Sequence, residues 1–195
     1  LSYELSRHEM RIRRLAEDTR LGRQVAIKLL AAELVADREQ RLRFEREARS
    51  ASALSHPNVC TIHEIGVDKD GRPFIAMELV EGRTLEARLE EGPLSVGEVL
   101  DIAIQVSDAL DAAHSKAIVH RDIKPANINI DARGRVKVLD FGLAKRVGGE
   151  STGSIGRTTQ LVTTQEGTLL GTPAFMSPEQ ALAKPVDHRS DLFSL

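Results

Sequence analysis

The sequence predicts an α+β fold in two lobes, a small strand-rich one over residues 1–81 and a mainly helical one over residues 82–195. Three observations predict it. Apolar, β-prone runs bounded by turn residues crowd the first part, at QVAIKLL, VCTIHEIGV and RPFIAMELV. Apolar residues at spacings of three and four take over after the Glu81-Gly82 break. A Gly-, Ser- and Thr-rich stretch over 146–171 lacks any periodicity and reads as one long loop.

Taken in order, residues 24–30 form the first clear strand. Asp37 is a plausible N-cap for a helix running to about Leu54, whose inward stripe collects Phe44, Glu47, Ala48, Ala51 and Leu54. The turn DKDG joins the next two strands into a hairpin. Ser95-x-x-Glu98 is a capping box opening a helix through Ile102, Val106, Ala109, Leu110 and Ala113. NINID and RVKVLD make a second, shorter hairpin around residues 132–134. The chain opens on Leu1 and closes on Leu195 within SDLFSL without a helix stop signal, which reads as a fragment.

Composition narrows the class. Hydrophobic residues make up 41% and charged ones 29%, as in ordinary soluble domains. A net charge of -2 leaves no footprint for nucleic acid or a membrane surface, and Arg11, Arg13 and Arg14 read as a solvated face. Cys60 is the only cysteine, which excludes an internal disulfide and a Cys-based zinc site and suits a reducing, cytoplasmic setting. The apolar run near Ile27 is interrupted by Lys28 and Glu33, so no segment spans a bilayer.

The chemistry concentrates in IVHRDIKPANINID, residues 118–131. His120-Arg121-Asp122 is followed by Lys124 and Asn127, and then by Asp140-Phe141-Gly142. Upstream stands Val25-Ala26-Ile27-Lys28; downstream stands Ser177-Pro178-Glu179. Each piece alone has a bland reading, as a polar turn, an edge-strand lysine or a strand-ending turn. Glu47 lies on an apolar stripe, where an unpaired carboxylate is costly, so a partner such as Lys28 explains it better than a surface pair with Arg43.

Together and in this order, the motifs resemble the bacterial-type (eukaryotic-like) serine/threonine protein kinases, from about residue 15 to the last residue. The resemblance implies a bilobal kinase-like fold whose second lobe is truncated at the start of its central helix, near Asp191 and Phe193. It implies ATP and Mg2+ as cofactors, with phosphoryl transfer to Ser/Thr hydroxyls of protein substrates. Asp122 would be the base, Lys124 would neutralise the transferring group, and Asn127 and Asp140 would hold the metal. Lys28 paired with Glu47 would anchor the phosphates. Ala26, Met77 as gatekeeper, the backbone of Glu78 to Val80, and Asn129 would line the adenine pocket. Arg121 would receive a phosphorylated activation segment offering Thr163, Thr164 and Thr168; Thr172 reads as structural, and Glu179 would pair with an arginine. A dimer phosphorylating itself in trans is compatible with this.

Two features depart from the family. The glycine-rich loop should precede Leu15, yet its glycines fall on Ser6, His8, Glu9 and Arg11, and its apolar roof residue on Arg13. Asn129 stands where the adenine floor is apolar. A pseudokinase or scaffold with weak or no ATP binding is therefore the alternative to an active kinase.

Overall fold

The computed structural model describes residues 3–10, 13–30, 35, 37–141 and 173–195. A five-stranded antiparallel sheet in the order β1-β2-β3-β5-β4 forms the first layer. Its strands are β1 (Tyr3–Met10), β2 (Arg13–Asp18), β3 (Arg23–Leu29), β4 (Ile62–Val67) and β5 (Pro73–Glu78). The β4–β5 turn closes as DKDG predicts, with the Gly71 amide donating to the Asp68 carbonyl at 3.1 Å and Gly71 at φ 80°. Helix α1 (Arg38–Ser52) packs on β4 and β5, and the Glu39 amide donates to Asp37 Oδ1 at 2.8 Å, the N-cap bond expected of Asp37.

Alternation along β3 sorts its residues between two cores. Val25 and Ile27 join Ala16, Phe74 and Ala76 on one face. Ala26 joins Phe44, Ala48, Ile75, Met77 and Leu139 on the other, beneath α1. β1 is irregular: Leu5 pairs with Ala16 but Glu9 with Arg14, so Ser6 to His8 bulge opposite Leu15.

Gly82 then turns the chain into a second sheet. It sits at φ 106°, and a Cβ there would strike the Ile130 carbonyl oxygen, so only glycine fits. The second sheet has the order β6-β7-β8: β6 (Arg83–Thr84), β7 (Ile128–Ile130) and β8 (Val136–Val138). Helix α2 (Leu85–Glu90) follows β6, and α3 (Val96–His114) opens with both bonds of the Ser95/Glu98 capping box in place. Its stripe Val106, Ala109, Leu110 and Ala113 is buried against Ile128, Val136 and Val138. Val96, Val99, Leu100 and Ile104, in the first half of α3, are exposed. Short helices α4 (Pro178–Ala181) and α5 (Arg189–Ser194) complete the described residues. The fold is α+β and bilobal, as the sequence predicts.

Backbone bonds stitch the two sheets together. Cys60 N donates to the Val138 carbonyl at 2.9 Å and Val138 N to the Asn58 carbonyl at 2.8 Å, around a parallel bridge between Val59 and Val138. The strand expected over 59–67 therefore starts at Ile62, because residues 58–60 bond across to β8.

Candidate functional site

The site is built on the loop before β7 and the strand end after β8. His120 is fully buried; its Nε2 lies 2.9 Å from the Leu139 carbonyl, and its Nδ1 accepts from the Asp122 amide at 3.2 Å. Those partners require Nε2 to carry the proton and Nδ1 to be bare, the neutral tautomer. Burial accordingly pushes the His120 pKa down, against the bond it donates to the Leu139 carbonyl and the charges of Asp191, Asp122 and Asp140. Arg121 and Asp140 both take left-handed backbone, at φ 67° and 62°, conformations that tertiary contacts must hold.

Asp191, 1% exposed, supplies much of that hold. Its Oδ2 accepts from the His120 amide at 2.8 Å, its Oδ1 from the Arg121 amide at 2.7 Å, and His114 Nε2 lies 2.8 Å from Oδ2. On the far side, Gln180 Nε2 donates to the Arg121 carbonyl at 2.7 Å, and Gln180 is itself fixed by a capping box with Ser177. The sequence reading assigned neither anchor. Ser177-x-x-Gln180 was visible as a capping signature, whereas the reach of Asp191 was not.

Within this frame Asp122 sits between an amide and an ammonium. Asn127 Nδ2 donates to the Asp122 carbonyl at 2.8 Å and to its Oδ2 at 3.0 Å, and Lys124 Nζ lies 2.8 Å from the same Oδ2. Leu139 N donates to the Asn127 carbonyl at 2.9 Å, which sets Asn127 beside the strand end carrying Asp140. Facing them from β3, Lys28 Nζ lies 3.2 Å from Asp140 Oδ2, both side chains 11% exposed. Lys28 thus meets the Asp140 carboxylate across the site. The left-handed turn at Asp140 presents its side chain to β3, and Glu47 is half-buried on α1.

The donor set suits a hard divalent cation. Asn127 turns its nitrogen toward Asp122, so its amide oxygen is the atom left for a metal, and Asp140 adds a carboxylate. Among the described residues no group of three His, Cys, Asp or Glu forms a metal cluster. One carboxylate and one amide, completed by phosphates and water, is the pattern by which Mg2+ is held.

The expected pocket lining is partly assembled. Ala26 faces Met77 across the β3–β5 ladder, and both are buried. Glu78 ends β5, and Val80 packs against the same cluster as Met77. Asn129 is 8% exposed and points away from the core that takes Ile128 and Ile130; its Oδ1 has no hydrogen-bond partner. Arg121 Nε is likewise buried without one. Glu179 bonds to the Ser190 hydroxyl on α5. Thr163, Thr164, Thr168 and Thr172 lie outside the described residues, as do the side chains of Arg11 and Arg13.

Residues 14–195 match the family model described as "Protein kinase domain". The chain is 44% identical over 183 residues to a probable serine/threonine-protein kinase PknB of Corynebacterium glutamicum, covering 92% of this chain and 27% of that protein. It is 40% identical over 185 residues to serine/threonine-protein kinase PknB of Mycobacterium tuberculosis, covering 93% of this chain and 28% of that one. It therefore spans about a quarter of the length of the curated relatives it matches. Among solved structures, the kinase domain of Mycobacterium tuberculosis PknI superposes with a TM-score of 0.75 at 28% identity, over 99% of this chain and 70% of that domain.

Proposed function

The chain belongs to the protein kinase family, as part of a catalytic domain of the bacterial serine/threonine type, and we propose that it transfers the γ-phosphoryl group of ATP to Ser or Thr hydroxyls of protein substrates. The observation that carries this is the Asp122 carboxylate, bracketed by Asn127 and Lys124 on a loop fixed by Asp191. Phosphoryl transfer needs positioning and charge compensation more than covalent chemistry, and this arrangement supplies both.

In this reading Asp122 accepts the proton of the substrate hydroxyl as its oxygen bonds to the γ-phosphorus and ADP leaves. Lys124, already on Asp122, sits where it neutralises the transferring group. Lys28 holds the upstream phosphates, with Glu47 as its proposed partner. Mg2+ on Asn127 and Asp140 would offset charge on the phosphate oxygens. Adenine lies between Ala26 and Asn129, against Met77 and the backbone of Glu78 to Val80. We set the lobe boundary at Glu81-Gly82. Phosphate on Thr163, Thr164 or Thr168 would give Arg121, whose Nε is buried without a hydrogen-bond partner, an anion. A cytoplasmic setting, a signalling role and self-phosphorylation in trans belong to the same proposal; among the described residues no helix is long and apolar enough to cross a membrane.

Two observations favour a second reading, a scaffold that keeps the fold but holds ATP weakly. β1 bulges at Ser6 to His8, where phosphate-cradling glycines were expected, and Asn129 brings an unpaired amide oxygen to the pocket. A Mg-ATP titration paired with a phosphotransfer assay separates the two. Binding and transfer that both vanish in Lys28→Met support the kinase. Binding without transfer supports the scaffold, and absence of both contradicts nucleotide use.

A further inference from the structure

The proposed adenine contact, Glu78, is held by its side chain as well as by its strand. Its Oε2 lies 2.8 Å from Lys137 Nζ and accepts from the Thr61 amide at 3.2 Å. Its own amide donates to the Thr61 carbonyl at 2.8 Å. Lys137 comes from β8, in the second sheet, and its ammonium also reaches the Val59 carbonyl at 3.4 Å. Lys137 is moreover the cross-strand partner of Asn129, so the two share the face of the β7–β8 hairpin turned away from the α3 core.

Solvent-exposed ion pairs contribute little, because water screens them and two long side chains must be ordered. This pair differs in geometry. The side chains of Lys137 and Glu78 are 24% and 30% exposed, and each ion has a second hydrogen-bond partner from residues 59–61. Burial pushes the Glu78 carboxyl up, yet the Lys137 hydrogen bond, the Thr61 amide and the Lys137 charge together hold it below the usual carboxylate range. The pair also sits where the two sheets meet, beside the Val59–Val138 bridge and just before the connector of residues 79–82.

We propose that Lys137 is a positioning residue of the nucleotide site: it clamps the Glu78 carboxylate between β8 and Thr61, fixing the connector backbone on which adenine is read and tying that backbone to the second sheet. This rests on the nucleotide reading above. Lys137 touches neither phosphates nor metal in this role, so its effect falls on the base and not on the triphosphate.

The test compares the wild-type chain with Lys137→Met and Lys137→Arg, titrating Mg-ATP and adenosine separately and following amide hydrogen exchange at Thr61 and Glu78. Lys137→Met should weaken both ligands by the same factor, roughly fivefold, and speed exchange at both amides; Lys137→Arg should stay within about twofold of wild type. Should Lys137→Met fail to fold by circular dichroism, Lys137→Gln replaces it with the same expectation. Unchanged exchange in the neutral variant overturns the proposal, and so does a loss for Mg-ATP that adenosine does not share. If the wild type bound neither ligand, the nucleotide reading would fail by itself. Exchange in Lys137→Met would then still decide the clamp, faster at both amides supporting it and unchanged overturning it.

Discussion

Asp191 accepts a 2.7 Å hydrogen bond from the amide of Arg121, a residue 70 positions earlier held at φ 67°. The same carboxylate bonds the His120 amide, so one buried side chain pins the two residues before Asp122. A left-handed arginine costs about 1–3 kcal/mol unless its surroundings impose it, and Asp191 and Gln180 impose it from both sides of the peptide. Asp191→Ala leaves two buried amides without acceptors and His114 without its partner. The expected loss is roughly 3 kcal/mol of unfolding free energy, read by urea denaturation. A loss under about 0.5 kcal/mol would show that the loop holds itself.

His120 predicts a pH dependence. Its folded-state pKa is lowered by burial from its ordinary 6.5, so below that value the unfolded chain takes up a proton that the folded chain refuses. The contribution is complete above about pH 6.5 and is lost as pH falls from there toward the folded pKa. The slope approaches 1.4 kcal/mol per pH unit for one proton. Protonation would also cost Nδ1 its bond from the Asp122 amide. Denaturation at pH 7.5, 6.5 and 5.5 should show the slope in wild type and a flatter one in His120→Gln. Equal slopes would remove His120 as the cause.

Local motifs made much of this site legible. Asp122, Lys124 and Asn127 fall within six residues, and a short loop entering a strand leaves them few ways to arrange. The Ser95/Glu98 capping box and the DKDG turn are equally local, and each formed as read. What the sequence hid is long-range. Asp191 reaches His120 across 71 positions and Lys137 reaches Glu78 across 59, and no periodicity encodes such pairs. Lys28 shows the same limit, since its meeting with the Asp140 carboxylate depends on the left-handed backbone turn at Asp140, which nothing local to β3 encodes.

Asn129 sets the nucleotide affinity in this account. Its Oδ1 is buried without a partner in a position proposed to lie under adenine, whose ring face is a poor hydrogen-bonding surface. Asn129→Leu should tighten Mg-ATP binding by roughly tenfold or more, through restored apolar contact and removal of an unsatisfied amide. Calorimetric titration of wild type and variant reads this directly. Weaker binding in the leucine variant would mean that the asparagine makes a needed contact.

The central claim is that Asp122 is the base of a phosphoryl transfer, and the rate of transfer by Asp122→Asn tests it most directly. The substitution keeps the size of the side chain and an oxygen for Asn127 Nδ2 while removing the charge that pairs with Lys124. The account predicts that Mg-ATP binding stays within about threefold while phosphate incorporation into a Ser/Thr substrate falls by roughly 10²–10⁴. Incorporation at the wild-type rate, with the same nucleotide affinity, would contradict it.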